Sequence, residues 1–176
     1  MTRETALLRF VRVAQDDVLA APLLAELAAE YSQRYGGDEQ AQLAGLLHYP
    51  AEEFAPPRGG LIIGVTAEGT PVTGGAFRRF GDVAGEPTAE LKRIWTARHF
   101  RRQGLATAMM AELEAEIAGR GYRRIYLMTG DRQPEAERLY ESLGYTRLEE
   151  PLPSRGPVYP VAFAKSIATS PGENRR

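Results

Sequence analysis

Arg101-Arg102-Gln103-Gly104-Leu105-Ala106 joins a strand-like segment to the most regular helical pattern in the chain. From residue 104 to about 118, Leu105, Met109, Leu113 and Ile117 recur every four residues and make one apolar stripe. A helix opening here presents backbone N–H groups that have no intrahelical partners, and its dipole adds partial positive charge. Gly104 and Ala106 keep side chains small, so a ligand can approach the backbone, while Arg101 and Arg102 add formal charge. The arrangement suits a pyrophosphate. The same six residues also fit an ordinary helix start with two surface arginines. A nucleoside triphosphatase loop fits poorly, because no Lys-Ser or Lys-Thr follows the glycine. The dinucleotide fingerprint fails as well, since it needs three glycines at set spacing.

Working outward, residues 90–96, Glu-Leu-Lys-Arg-Ile-Trp-Thr, read as a strand. Leu91 and Ile94 are three apart, which breaks two-residue alternation; one extra residue near Lys92-Arg93, a bulge, restores both to the core face. The bland alternative is that Lys92 and Arg93 decorate an edge. Residues 81–87 read as a turn-rich loop, and 61–65 and 72–80 as a hairpin turning at 67–70. Further upstream, a strand is expected over 7–13. A helix follows from the Asp16-Asp17 cap to about Tyr35, and a second short helix lies within 38–48. Downstream come a buried strand over 122–129, a helix starting at Pro134 and capped by Gly144, and strands over 145–149 and 158–165. There is no repeat, low-complexity block or linker. The expectation is one mixed α/β domain over 1–168 with a frayed polar tail at 169–176.

Composition narrows the function. The chain has 176 residues, 43% hydrophobic and 26% charged, the balance of a globular domain. It has no cysteine, which excludes disulfides, thiolate metal sites and cysteine nucleophiles in this chain. His48 and His99 are its two histidines, too isolated to suggest a metal centre. A net charge of -1 gives no case for nucleic acid. No apolar run has the length of a membrane span, and Arg9 and Arg12 interrupt the opening residues, which reads against a signal peptide. The default location is the cytoplasm.

Three segments resemble one family. Arg101 to Ala106 is similar to the Gln/Arg-x-x-Gly-x-Gly/Ala pattern of the GCN5-related N-acetyltransferase (GNAT) superfamily, which holds the coenzyme A pyrophosphate. Residues 90–96 resemble that family's fourth strand at the usual distance upstream. Leu139-Tyr140-Glu141-Ser142-Leu143-Gly144-Tyr145 resembles its Leu-Tyr-x-x-x-Gly-Phe/Tyr segment downstream. The Gln133-Pro134-Glu135-Ala136 form resembles a bacterial subgroup of small acetyltransferases. The resemblance implies a central, mostly antiparallel, twisted sheet of 6–7 strands, with a splayed central pair and about four helices. It also implies acetyl-coenzyme A (acetyl-CoA) as cosubstrate; with no cysteine and two isolated histidines, no metal is expected. Arg101, Arg102, Gln103, Gly104, Leu105 and Ala106 would meet the pyrophosphate, and the backbone of Ile94, Trp95 and Thr96 the pantetheine. Many members place an asparagine near the start of the last helix against the coenzyme; here Gln133 stands in that region.

The chemistry needs a base and an acid. An alkylammonium, with pKa about 10.4, must lose a proton before it attacks a thioester. Glu90, at the start of the fourth strand, is the candidate base, against a reading as a solvated or arginine-paired glutamate. Tyr140 is the candidate acid for the leaving thiolate, against a reading as a residue that only packs. His99 is an outside candidate for the base and reads better as solvent-facing. The acceptor, a small-molecule or peptide amine, is expected against Tyr31 and Tyr35, with Arg34, Asp38, Glu39 and the 83–88 loop nearby. Aromatics with acids suit a cationic amine. The expected reaction is direct acetyl transfer to a primary amine. The alternatives are a non-catalytic acyl-CoA-binding module and a peptide or protein N-acetyltransferase. Neither nucleic acid nor membrane is an expected partner, and a homodimer is left open.

Overall fold

A computed structural model describes residues 7–154 and 156–167; the expected tail at 169–176 lies outside them. Among the described residues, seven strands hydrogen-bond in the order β1-β2-β3-β4-β5-β7-β6. They are β1 (Arg9–Arg12), β2 (Gly60–Val65), β3 (Pro71–Val83), β4 (Glu86–Thr96), β5 (Arg124–Thr129), β6 (Thr146–Arg147) and β7 (Val161–Ser166). The α-helices are α1 (Ala21–Tyr35), α2 (Glu39–His48), α3 (Leu105–Gly119) and α4 (Pro134–Ser142). The ladders β1–β2, β2–β3, β5–β7 and β6–β7 are antiparallel. β4 and β5 run parallel, and their ladder extends from Thr88 opposite Arg124 to Glu90 opposite Tyr126.

The described residues pack as two compact units. One takes the residues up to Arg78 together with Lys92–Leu113, the other Arg79–Leu91 with the residues from Glu114 on. In the first, Leu23, Leu24 and Leu27 of α1 join Leu61, Ile63, Val65, Ala76, Phe54 and Trp95 in a buried cluster. Gly74 and Gly75 let helices close on β3. A Cβ at Gly74 would lie 2.8 Å from Leu23 Cδ1, and one at Gly75 would lie 2.6 Å from Leu113 Cδ1 and 2.7 Å from Ile94 Cδ1. In the second unit, Ile125, Tyr126 and Leu127 of β5 and Val161 to Ala164 of β7 are all buried, the two-sided burial expected of central strands.

Four elements differ from expectation; one is β7, which starts at Val161 and not at Val158. Asp17 caps a 3-10 turn at Val18–Ala20, accepting from the Leu19 N–H at 2.9 Å, and α1 itself starts at Ala21 with Pro22 in its first turn. Residues 81–87 are not a loop. β3 runs to Val83 and β4 starts at Glu86, joined by Ala84 (φ 51) and Gly85 (φ 79), a two-residue turn whose positive φ values match the twist of a hairpin. The acceptor loop expected at 83–88 is therefore mostly strand. β6 is only two residues long, at Thr146–Arg147, with the next residue, Leu148, still donating its N–H to the Ala162 carbonyl at 2.9 Å.

Candidate functional site

β4 delivers the chain through a 3-10 turn at Arg98–Phe100 into residues 101–104, and α3 begins at Leu105. Arg102 (φ 63) and Gly104 (φ 77) both adopt left-handed backbone. The Gly104 carbonyl accepts from the Ala108 N–H at 3.1 Å, so the first N–H groups of α3 point out of the helix without partners inside it. Arg102, Gln103 and Gly104 are exposed, and a Cβ placed on Gly104 would meet nothing within 4 Å. The loop therefore offers open backbone at a helix N-terminus, as anion binding requires. Leu105 is buried and anchors the first turn, while Ala106 is half-buried. Arg101 forms an ion pair with Glu30 of α1, and its Nε donates to the Thr96 carbonyl at 3.3 Å.

The pantetheine candidates on β4 belong to the same unit. Ile94 and Thr96 are half-buried, and the Trp95 ring is buried with its indole N–H donated to Glu26. The Trp95 carbonyl accepts from Thr73 Oγ1 at 2.8 Å. Of the acceptor candidates, Tyr31 packs against the core cluster and Tyr35 is exposed at the end of α1. Asp38 is occupied as a cap of α2, accepting from the Gln40 N–H. His48 and His99 are both exposed.

The second unit holds Glu90, Gln133 and Tyr140. Glu90 is 1% exposed, so it is not a solvated surface glutamate. It stands opposite Tyr126 in the parallel ladder, and its charge contributes to raising the Tyr126 pKa. Burial is the larger cause of that rise, and the Leu152 N–H, donated to the Tyr126 hydroxyl at 3.0 Å, works against it. Tyr140 is buried on α4, with its ring centroid 5.8 Å from both Tyr145 and Phe163. The helix end behind it is a Schellman motif: Tyr145 N–H donates to the Tyr140 carbonyl, Gly144 N–H to Glu141, and Gly144 takes φ 86. Gln133 sits at the cap position of α4, where its carbonyl accepts from Ala136 and Glu137 and its side chain makes no capping bond.

The model of the Acetyltransferase (GNAT) family matches residues 22–145, more than half of the chain. The chain belongs to the GNAT family. A Staphylococcus aureus acetyltransferase of the GNAT family has the same fold, with a TM-score of 0.70 at 14% identity over 92% of this chain and 100% of that one. A Klebsiella pneumoniae protein named provisionally as an acyl-CoA N-acyltransferase gives 0.69 at 21% identity, covering 92% and 99%. A Streptococcus agalactiae acetyltransferase gives 0.68 at 17%, covering 91% and 98%. At these identities the likeness concerns the fold alone. No curated protein matches the sequence.

In this GNAT chain, three residues have surroundings that a reading of the sequence does not supply. Arg93 is no edge decoration. It is 7% exposed with φ 59, which supports a local irregularity in β4. Its guanidinium donates to Gln15 at 2.7 Å and to the Leu46 carbonyl and lies 4.6 Å from the Phe54 ring centroid. Burial lowers its pKa to about 10, against the pull of Tyr31 and Tyr49. Tyr49 gathers Arg78 at 5.2 Å and Lys92 at 4.9 Å about its ring, and Lys92 also donates to its hydroxyl at 3.3 Å. Tyr126 is the third. The broken alternation at Leu91 and Ile94 pointed to the irregularity at Arg93; nothing local pointed to Tyr49 or Tyr126.

No group of three or more His, Asp or Glu side chains that could hold a metal ion occurs among the described residues. None of their helices is long and apolar enough to cross a membrane.

Proposed function

We propose that this GNAT protein is a cytoplasmic enzyme that transfers the acetyl group of acetyl-CoA to a primary amine by direct attack. The observation that carries the reading is the 101–104 loop. Two left-handed residues and an open Gly104 backbone lie at the N-terminus of α3, within the sequence pattern that the family uses for pyrophosphate. In this reading the N–H groups of residues 102–106 bind the pyrophosphate. The backbone of Ile94, Trp95 and Thr96 contacts the pantetheine, and Gln133 contacts the coenzyme.

Glu90 takes the ammonium proton, directly or through a water, leaving a lone pair to attack the thioester carbonyl. The C–N bond forms and the C–S bond breaks, and the attacking nitrogen gives up its second proton, which restores the one that Tyr140 donates to sulfur. Tyr140 supplies a proton or hydrogen bond to the leaving thiolate. Burial of Glu90 and Tyr140 supports these roles, since a carboxylate is seldom buried without a structural or chemical task. The amine acceptor is placed against Tyr31 and Tyr35.

The test is release of free thiol from acetyl-CoA in the presence of amino acids, polyamines, aminoglycosides and peptides. Turnover with any of them supports the enzyme. Tight coenzyme binding without turnover for every acceptor would favour a binding module instead.

A further inference from the structure

We propose that Glu30 is a positioning residue for the phosphate loop and that it acts through Arg101; the proposal rests on the acetyl-CoA reading above. α1 carries Glu26 and Glu30 one turn apart, hence on one face. Both reach the segment that leaves β4. Glu26 accepts from the Trp95 indole and approaches the Arg98 N–H at 3.5 Å. Glu30 pairs with Arg101, whose Nε is donated to Thr96, the last residue of β4. The guanidinium is thereby held on two sides, which its planar fork allows and a lysine ammonium does not.

Directly after this clamp the backbone turns left-handed at Arg102 and again at Gly104. A left-handed non-glycine residue is strained and persists only where its surroundings impose it. The clamp is the constraint on the N-terminal side of that turn. Arg101 is therefore a strut for the loop and not a pyrophosphate ligand, and the anion is met by the backbone N–H groups that the strut presents. An ion pair as exposed as this one adds little to folding stability. Its consequence lies in where it places the loop.

The test is calorimetric titration of the full chain with coenzyme A, together with KM and kcat for acetyl-CoA. Glu30→Gln and Arg101→Met should each weaken coenzyme A binding about tenfold. Each should raise KM with little change in kcat, and the double variant should be no weaker than either single. Arg101→Glu should bind most weakly, and adding Glu30→Arg to it should restore most of the affinity.

Additive losses in the double variant would overturn the proposal. So would a charge-swapped pair as weak as Arg101→Glu alone, since Arg101 would then act on the phosphate directly. Tighter binding by Glu30→Gln would show that Glu30 competes with the anion. A change in melting temperature with unchanged affinity would leave only a structural pair. Absence of coenzyme binding by the unsubstituted chain refutes the acetyl-CoA reading itself, and is distinct from all of these.

Discussion

Glu90 on β4 and Tyr126 on β5 face each other at the last rung of the parallel ladder, and the charge of the carboxylate helps to keep the phenol protonated. The sequence places these two residues 36 positions apart (126 − 90). Their pairing puts the proposed base on the same rung as a tyrosine whose hydroxyl accepts from the Leu152 N–H, so the segment after β6 is tied to β5.

Replacing Glu90 with Gln preserves shape and removes the base. The expected loss in kcat/KM at neutral pH is about 10²–10⁴-fold. It should be smaller near pH 9, where more of an amine with pKa about 10.4 is already deprotonated. Coenzyme affinity should stay close to that of the unsubstituted protein. Rate–pH profiles check this: an equal loss at every pH would indicate positioning, and unaltered rates would remove Glu90 from the chemistry.

Tyr140→Phe keeps the ring against Tyr145 and Phe163 and deletes only the hydroxyl. Stability and coenzyme affinity should hold while kcat falls. Single-turnover kinetics are the cleaner measurement, because slow product release would mask a change in the chemical step. An unchanged chemical rate would leave Tyr140 with a packing role alone.

Gly104→Val acts through the backbone more than through bulk. Its Cβ would meet open space, but φ 77 is a region that β-branched residues rarely enter. Gly104→Ala should weaken coenzyme binding modestly and Gly104→Val strongly, with a stability cost of about 1–2 kcal/mol. Calorimetry and denaturant melts on both variants separate the two effects. Unchanged coenzyme affinity in Gly104→Val would remove the pyrophosphate from this loop.

Tyr145 predicts an alkaline limit to stability. Burial, and then Glu114, which accepts from its hydroxyl at 2.9 Å, raise its pKa well above the ordinary value of 10.0. The folded state thus holds this proton more tightly than the unfolded chain. The resulting stabilisation is fully present below about pH 10 and is lost as pH rises above it towards the folded-state value. The difference in unfolding free energy between the unsubstituted protein and Tyr145→Phe should therefore shrink between pH 9 and about 11. Denaturant titrations across that range measure it, and a difference independent of pH would refute the assignment.

Much of the fold was legible locally. Turn chemistry and apolar period, both properties of neighbouring residues, placed α1, α3, α4 and the β2–β3 hairpin. Gly36 and Gly144 closed α1 and α4 where expected, each with positive φ. The same local logic misread residues 81–87. Glycine, aspartate and proline suggested a loop, but a hairpin needs only Ala84 and Gly85 to turn, and strand pairing carries the rest.

What the sequence determined by itself about this protein is its family, and it supplied the 101–106 loop, Glu90 and Tyr140 as candidates, because motif spacing is a property of one continuous chain. What only the tertiary structure decided is which side chains those positions meet. Arg93 reaches Gln15 and Leu46. Glu30 reaches Arg101, and Glu90 faces Tyr126. Each of these contacts joins residues more than thirty positions apart. Burial and charge act through space, and no periodicity along the chain records which distant segments the folded backbone brings within a few ångströms.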